Sequence, residues 1–184
     1  MSKMYKAYEE MKVFLGFGED DVARLKSLAP IFAKVGPGIT DDFYDVLGRT
    51  PATAKQIEGR VDALKATHAR WMGQLFEGSY GEDYFEGRRR IGEVHVRIGL
   101  SPQFVEGVMS FIRTAGERAI RAEIADHDEA SAKVASLFKI LDLDLIVINL
   151  AYGEERVQLM CNITGMSRPL VENLIKQGGR RKKK

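Results

Sequence analysis

Tyr84, Arg88, Ile91, His95 and Ile98 follow one another at alternating four- and three-residue steps. That spacing marks one face of a 3.6-residue helix. His95 therefore stands in a largely apolar stripe. A buried imidazole without a partner costs ~1–3 kcal/mol, and no nearby side chain on that face offers itself as one. A metal ion is a candidate, since imidazole is the commonest protein ligand for one. The chain holds one cysteine, Cys161, which excludes an internal disulfide and a cysteine-rich metal cage. A lone histidine suffices where a porphyrin supplies the other four ligands of an iron. The competing reading is a core histidine bonded to a backbone carbonyl.

Other chemistry is sparse. Asp142 and Asp144, two residues apart, point to different faces of a helix and form no catalytic pair. Glycine-rich phosphate loops, Ser/His/Asp arrangements and Cys/His clusters are missing. Arg88, Arg89, Arg90 and Arg97 read mostly as a solvated face, and His127 as a solvated turn residue. Asn162-Ile163-Thr164 matches a glycosylation sequon that is idle in the cytosol. No catalytic residue is assigned, and the chain is not expected to be an enzyme.

The elements that must position these residues all read as helices. A short helix over about 3–14 precedes one over 19–35, with a kink expected at Pro30. Gly36-Pro37-Gly38 predicts a break, after which Thr40 caps a helix over about 41–48. Thr50-Pro51 opens a long helix to about Gly78, with the seam Ile57, Val61, Leu64, His68, Trp71, Leu75. The His95 helix spans about 82–98 and ends at Gly99. Ser101-Pro102 opens a helix to about 126, and the last long helix covers about 129–157. From Leu137 to Leu150 only Lys139, Asp142, Asp144 and Asn149 are polar. A helix so apolar is buried on more than one side. A symmetric dimer through it is expected; a central core helix in a monomer is the alternative. A shorter helix between Ser167 and Gln177 follows Pro169.

Composition bounds the rest. The 184 residues, 45% hydrophobic and 29% charged, suit one ordinary domain. No run reaches the ~20 apolar residues of a membrane span, and the first residues lack a secretory apolar stretch. A cytoplasmic location without membrane association is expected. The net charge of +2 comes from Arg180-Arg181-Lys182-Lys183-Lys184, which reads as a solvated tail, and the remainder carries −3. Nucleic acid is therefore not an expected partner.

The block Trp71-Met72-Gly73-Gln74-Leu75-Phe76-Glu77-Gly78, then Tyr84, then Arg90-Ile91-Gly92-Glu93-Val94-His95-Val96-Arg97-Ile98-Gly99-Leu100 resembles the sensor-globin family. These are the haem-binding domains of globin-coupled sensors, related to protoglobins and single-domain sensor globins. Phe43-Tyr44 and the all-helical order resemble that family too, over about residues 15–157. The resemblance implies an all-α globin fold with an extra N-terminal helix. It divides the chain into a sensor-globin domain, 1–157, and a helical stub with a basic tail, 158–184. The long C-terminal helices would pair with a second copy in a four-helix bundle through 102–126 and 129–157.

The resemblance further implies haem b between the 51–78 and 82–98 helices. His95 matches the proximal iron ligand, with Ile91 and Ile98 beside it. Tyr44 matches the distal tyrosine that donates a hydrogen bond to dioxygen, a bond strengthened by charge. Leu64 and Thr67 match the residues above the iron; Thr67 adds a second bond or is satisfied by a carbonyl one turn back. His68, 27 residues before His95, is the rival: its spacing suits a distal-histidine or six-coordinate globin, whereas the family match turns it toward other helices. The implied function is a haem-based dioxygen sensor that signals through its dimer interface to a downstream transmitter. The alternatives are a stand-alone oxygen-binding or redox globin, and a cofactor-free helical dimerisation module.

Overall fold

The computed structural model describes residues 2–181, and among them every regular element is a helix. In chain order these are α1 (Lys3–Phe14), α2 (Glu19–Arg49), α3 (Pro51–Ile57), α4 (Val61–Gln74), α5 (Glu82–Arg97), α6 (Pro102–Glu123), α7 (His127–Thr164) and α8 (Arg168–Arg181). The fold is all-α, as expected. Of the basic tail, Arg180 and Arg181 end α8, while Lys182 to Lys184 lie outside the described residues. None of the described helices is long and apolar enough to cross a membrane.

The first departure from the sequence reading is α2. It runs on through Gly36-Pro37-Gly38, where a break was expected, and holds both Pro30 and Pro37 inside it. Each interior proline gives up a backbone bond and costs about 3 kcal/mol. Against that, Leu25, Leu28, Phe32, Ile39, Phe43 and Tyr44 are all buried on this helix, each contributing about 1.5–3 kcal/mol. Packing outweighs the prolines. Thr40 consequently lies inside α2, buried, and caps nothing. Gly36 is buried as well: a Cβ there would stand 3.1 Å from the Met72 sulfur of α4.

The second departure is the expected 51–78 helix, which is two helices. The chain turns at Glu58-Gly59-Arg60, and Gly59 has φ +71°, a left-handed conformation that glycine adopts without strain. α4 ends at Gln74. The expected seam survives the break, because Ile57 closes α3 and Trp71 is buried on α4.

α7 forms the axis of the molecule and packs against α5, α6, α2, α1 and α8. It starts at His127, where the Asp126 carboxylate accepts the Glu129 N–H at 2.7 Å. It continues to Thr164, past the expected end at 157, and stops at Gly165 in a left-handed conformation. Leu137, Ile140, Leu141, Leu143 and Val147 are fully buried, so neighbours within the chain cover most of its apolar girth. Asp21 pins α2 to this axis: its carboxylate accepts from Ser136 at 2.7 Å and from Lys139 at 3.0 Å. Burial raises the Asp21 pKa, but these bonds and the Gly18 N–H outweigh it and hold the group below its ordinary value.

The apolar interior has two parts. The larger joins α1, α2, α4, α5, α6 and α7; the smaller gathers Phe43, Tyr44 and Ile57 with Leu47, Val61 and Leu64 partly buried beside them. The candidate site lies against this smaller cluster.

Candidate functional site

A cavity of about 370 Å³ opens between α2, α3, α4, α5 and α6. α4 contributes Leu64, Thr67, His68 and Trp71; α5 contributes Arg90, Ile91, Val94 and His95. Tyr44 enters from α2, and Ile98 closes the end of α5. All six residues singled out in the sequence, Tyr44, Leu64, Thr67, Ile91, His95 and Ile98, therefore line one space. His68 lines it too. His68 faces α2, as expected, through Thr40, Phe43 and Tyr44, and it also shares the cavity with Leu64 and Thr67 of its own helix.

Two buried side-chain atoms among the described residues lack a hydrogen-bond partner: His68 Nε2 and His95 Nδ1. Both residues line this cavity. His68 Nδ1 is 3.0 Å from the Thr40 hydroxyl, which is the role the misplaced helix cap fills. Burial lowers both imidazole pKa values to about 4, so both rings are neutral at neutral pH, the form that binds metal. Burial pushes the Tyr44 phenol up to about 12; it keeps its proton and remains a donor. Thr67 Oγ1 donates to the Ala63 carbonyl at 3.0 Å, the arrangement in which a helix satisfies its own hydroxyl.

The His95 helix, α5, is fixed from behind. Arg88 was expected to be solvated with its arginine neighbours, but it is 1% exposed. Its Nε–H donates to Asp144 of α7 at 2.9 Å. Asp144 also accepts from Trp71 Nε1 at 2.8 Å and from the Tyr84 hydroxyl at 2.6 Å. Gln74 accepts a further bond from Arg88, whose guanidinium lies 3.9 Å from the Tyr84 ring centre. Burial pushes the Asp144 pKa up, opposed by the Arg88 charge and by the Tyr84 and Trp71 bonds. Every partner of Asp144 is a donor, the set an ionised carboxylate requires. Sequence reasoning missed this cluster, although its signals were present: one arginine in the stripe of α5 and one aspartate in the most apolar stretch of α7. Gly92 completes the junction. A Cβ there would lie 2.6 Å from the Ala151 Cβ and 2.7 Å from the Ile148 carbonyl oxygen, so α5 and α7 approach where only hydrogen fits.

The chemistry of this lining suits a flat apolar metal complex. It offers aliphatic and aromatic walls, neutral imidazoles from two helices with unpartnered nitrogens, and a phenol still carrying its proton. Haem is such a complex, and these residues fit it.

Known proteins agree with this architecture. The globin domain of the Geobacter sulfurreducens globin-coupled sensor is 32% identical, covers 78% of this chain and 96% of its own, and superposes with a TM-score of 0.75. The globin domain of the E. coli DosC, in a ferric form, superposes at 0.67 with 16% identity over 81% of this chain, a likeness of fold. The haem-based aerotactic transducer HemAT of Halobacterium salinarum is 29% identical over 143 residues, 71% of this chain. The chain spans only 29% of that relative's length. Both of these solved regions are globin domains. The Protoglobin family matches residues 4–158, and the chain belongs to that family.

Proposed function

We propose that this protein is a haem-based gas sensor, with dioxygen as the gas. The observation that carries the reading is the pair of unpartnered imidazole nitrogens, on His95 of α5 and His68 of α4, at one apolar cavity. His95 would hold the iron of haem b. Haem iron supplies a reversible site for a diatomic gas. Tyr44 would donate a hydrogen bond to that gas, and Leu64, Ile91 and Ile98 contribute apolar lining. The Thr67 hydroxyl can add a second bond only by leaving Ala63.

The buried, unpartnered Nε2 of His68 favours a further reading of the resting site, in which His68 would be a second residue able to hold the iron. Its bond to Thr40 leaves that nitrogen as the one available to metal.

Signal transfer belongs to the same proposal. Movement at His95 reaches α7 through Gly92 and the Arg88–Asp144 cluster, and α7 with α6 meets a second copy. A ligand acts this way only if it binds two packings with different affinity. We place the sensor unit at residues 1–157, in the cytoplasm, with a transmitter downstream. A stand-alone oxygen-binding globin differs in predicting no response of α7 to gas.

The test is the absorption spectrum. Purified protein given haemin is expected to show a Soret band, and His95→Ala to lose most of its haem. A wild-type protein with no such band, or a variant that binds haem normally, refutes the reading.

A further inference from the structure

The lining of the cavity carries charge of one sign. Arg60 and Arg90 are its cationic residues, and no aspartate or glutamate lines it. Both arginines are exposed, so they stand at the mouth, where the apolar interior meets water. Arg60 is held there by the turn between α3 and α4. Arg90 lies on α5, five residues before His95.

The other arginines of α5 are committed. Arg88 pairs with Asp144, Arg89 with Glu86 and Glu93, and Arg97 with Glu93 and Glu155. Arg90 is the α5 arginine without an acidic partner among the described residues, and the sequence had left open which of the four would meet the cofactor. A ligand matching this lining is apolar over its buried part and carries two carboxylates on one exposed edge. A guanidinium meets a carboxylate with paired, geometrically matched donors.

We propose that Arg60 and Arg90 are the positioning residues that anchor the two propionates of haem at the cavity mouth, one from each side of the cleft between α4 and α5. This rests on the haem reading above. The anchor sets which edge of the macrocycle faces water and slows its escape. Both contacts are solvated, so each contributes modestly.

The experiment measures release of ferric haem from the loaded, full-length protein to excess apomyoglobin. Arg60→Ala and Arg90→Ala are each expected to speed release about two- to five-fold, and the double variant more. Each Arg→Lys variant should recover part of the loss. Iron protoporphyrin dimethyl ester, which lacks the carboxylate charges, should leave all forms at one rate. Thermal melting of the haem-free variants should match wild type. A double variant that releases haem at the wild-type rate, or that speeds release of the ester equally, overturns the anchor and leaves the haem reading standing. Wild-type protein that takes up neither compound defeats the haem reading, and the anchor with it.

Discussion

Tyr44 shows what a single side chain does here. Its ring packs edge-on against Phe43 and His68, with centroids 5.0 and 6.1 Å away, and its proton is retained because burial disfavours the phenolate. Tyr44→Phe removes the donor and keeps the shape. A hydrogen bond to a partly charged acceptor is worth about 1.5–3 kcal/mol. The dioxygen dissociation rate should therefore rise about ten- to a hundred-fold in stopped-flow measurements, while carbon monoxide release changes little. An unchanged dioxygen rate would remove Tyr44 from the role. The sequence made His95 legible because an imidazole stands out in an apolar stripe at helical spacing, and Tyr44 only through the resemblance to sensor globins. It could not reveal Thr40, which reads as a cap until α2 is known to be continuous, nor Arg60, whose place depends on the turn at Gly59.

At the scale of elements, the decisive junction ties α4, α5 and α7 at Asp144. Trp71 reaches it from the helix of His68, and Tyr84 and Arg88 from the helix of His95. The ion pair is fully buried. Such a pair adds little over an apolar replacement, but removing one partner strands the other charge at a cost of about 3–5 kcal/mol. Asp144→Asn, nearly isosteric, should lower unfolding stability in urea by that order. A loss under about 1 kcal/mol would mean that the pair is not ionised. The sequence assigned Arg88 to a solvated face because charge normally implies exposure. Only the packing of α7 behind α5 supplies the countercharge that allows burial. The α2 prolines show the reverse case: local rules asked for a break, and six buried side chains kept the helix whole.

At the scale of the whole molecule, α7 serves as core and, on our proposal, as interface. Most of its apolar surface is covered within the chain, which weakens the argument from girth alone. Ile146 and Leu150 remain half-buried on one strip of it, beside exposed Asn149. That strip is where a second copy would pack. Sedimentation velocity should show a dimer at micromolar concentration, and Ile146→Glu should shift it toward monomer. A monomeric wild-type protein would refute the interface.

The amino-acid order alone determined the helical class, the extent of α5 and the stripe of Ile91, His95 and Ile98 along it, because periodicity and residue type are local properties. The tertiary structure decided whether prolines break α2, where the long helix divides, which arginine is buried and that His68 shares a space with His95. Those outcomes depend on energies summed across helices far apart in sequence, which no local window contains.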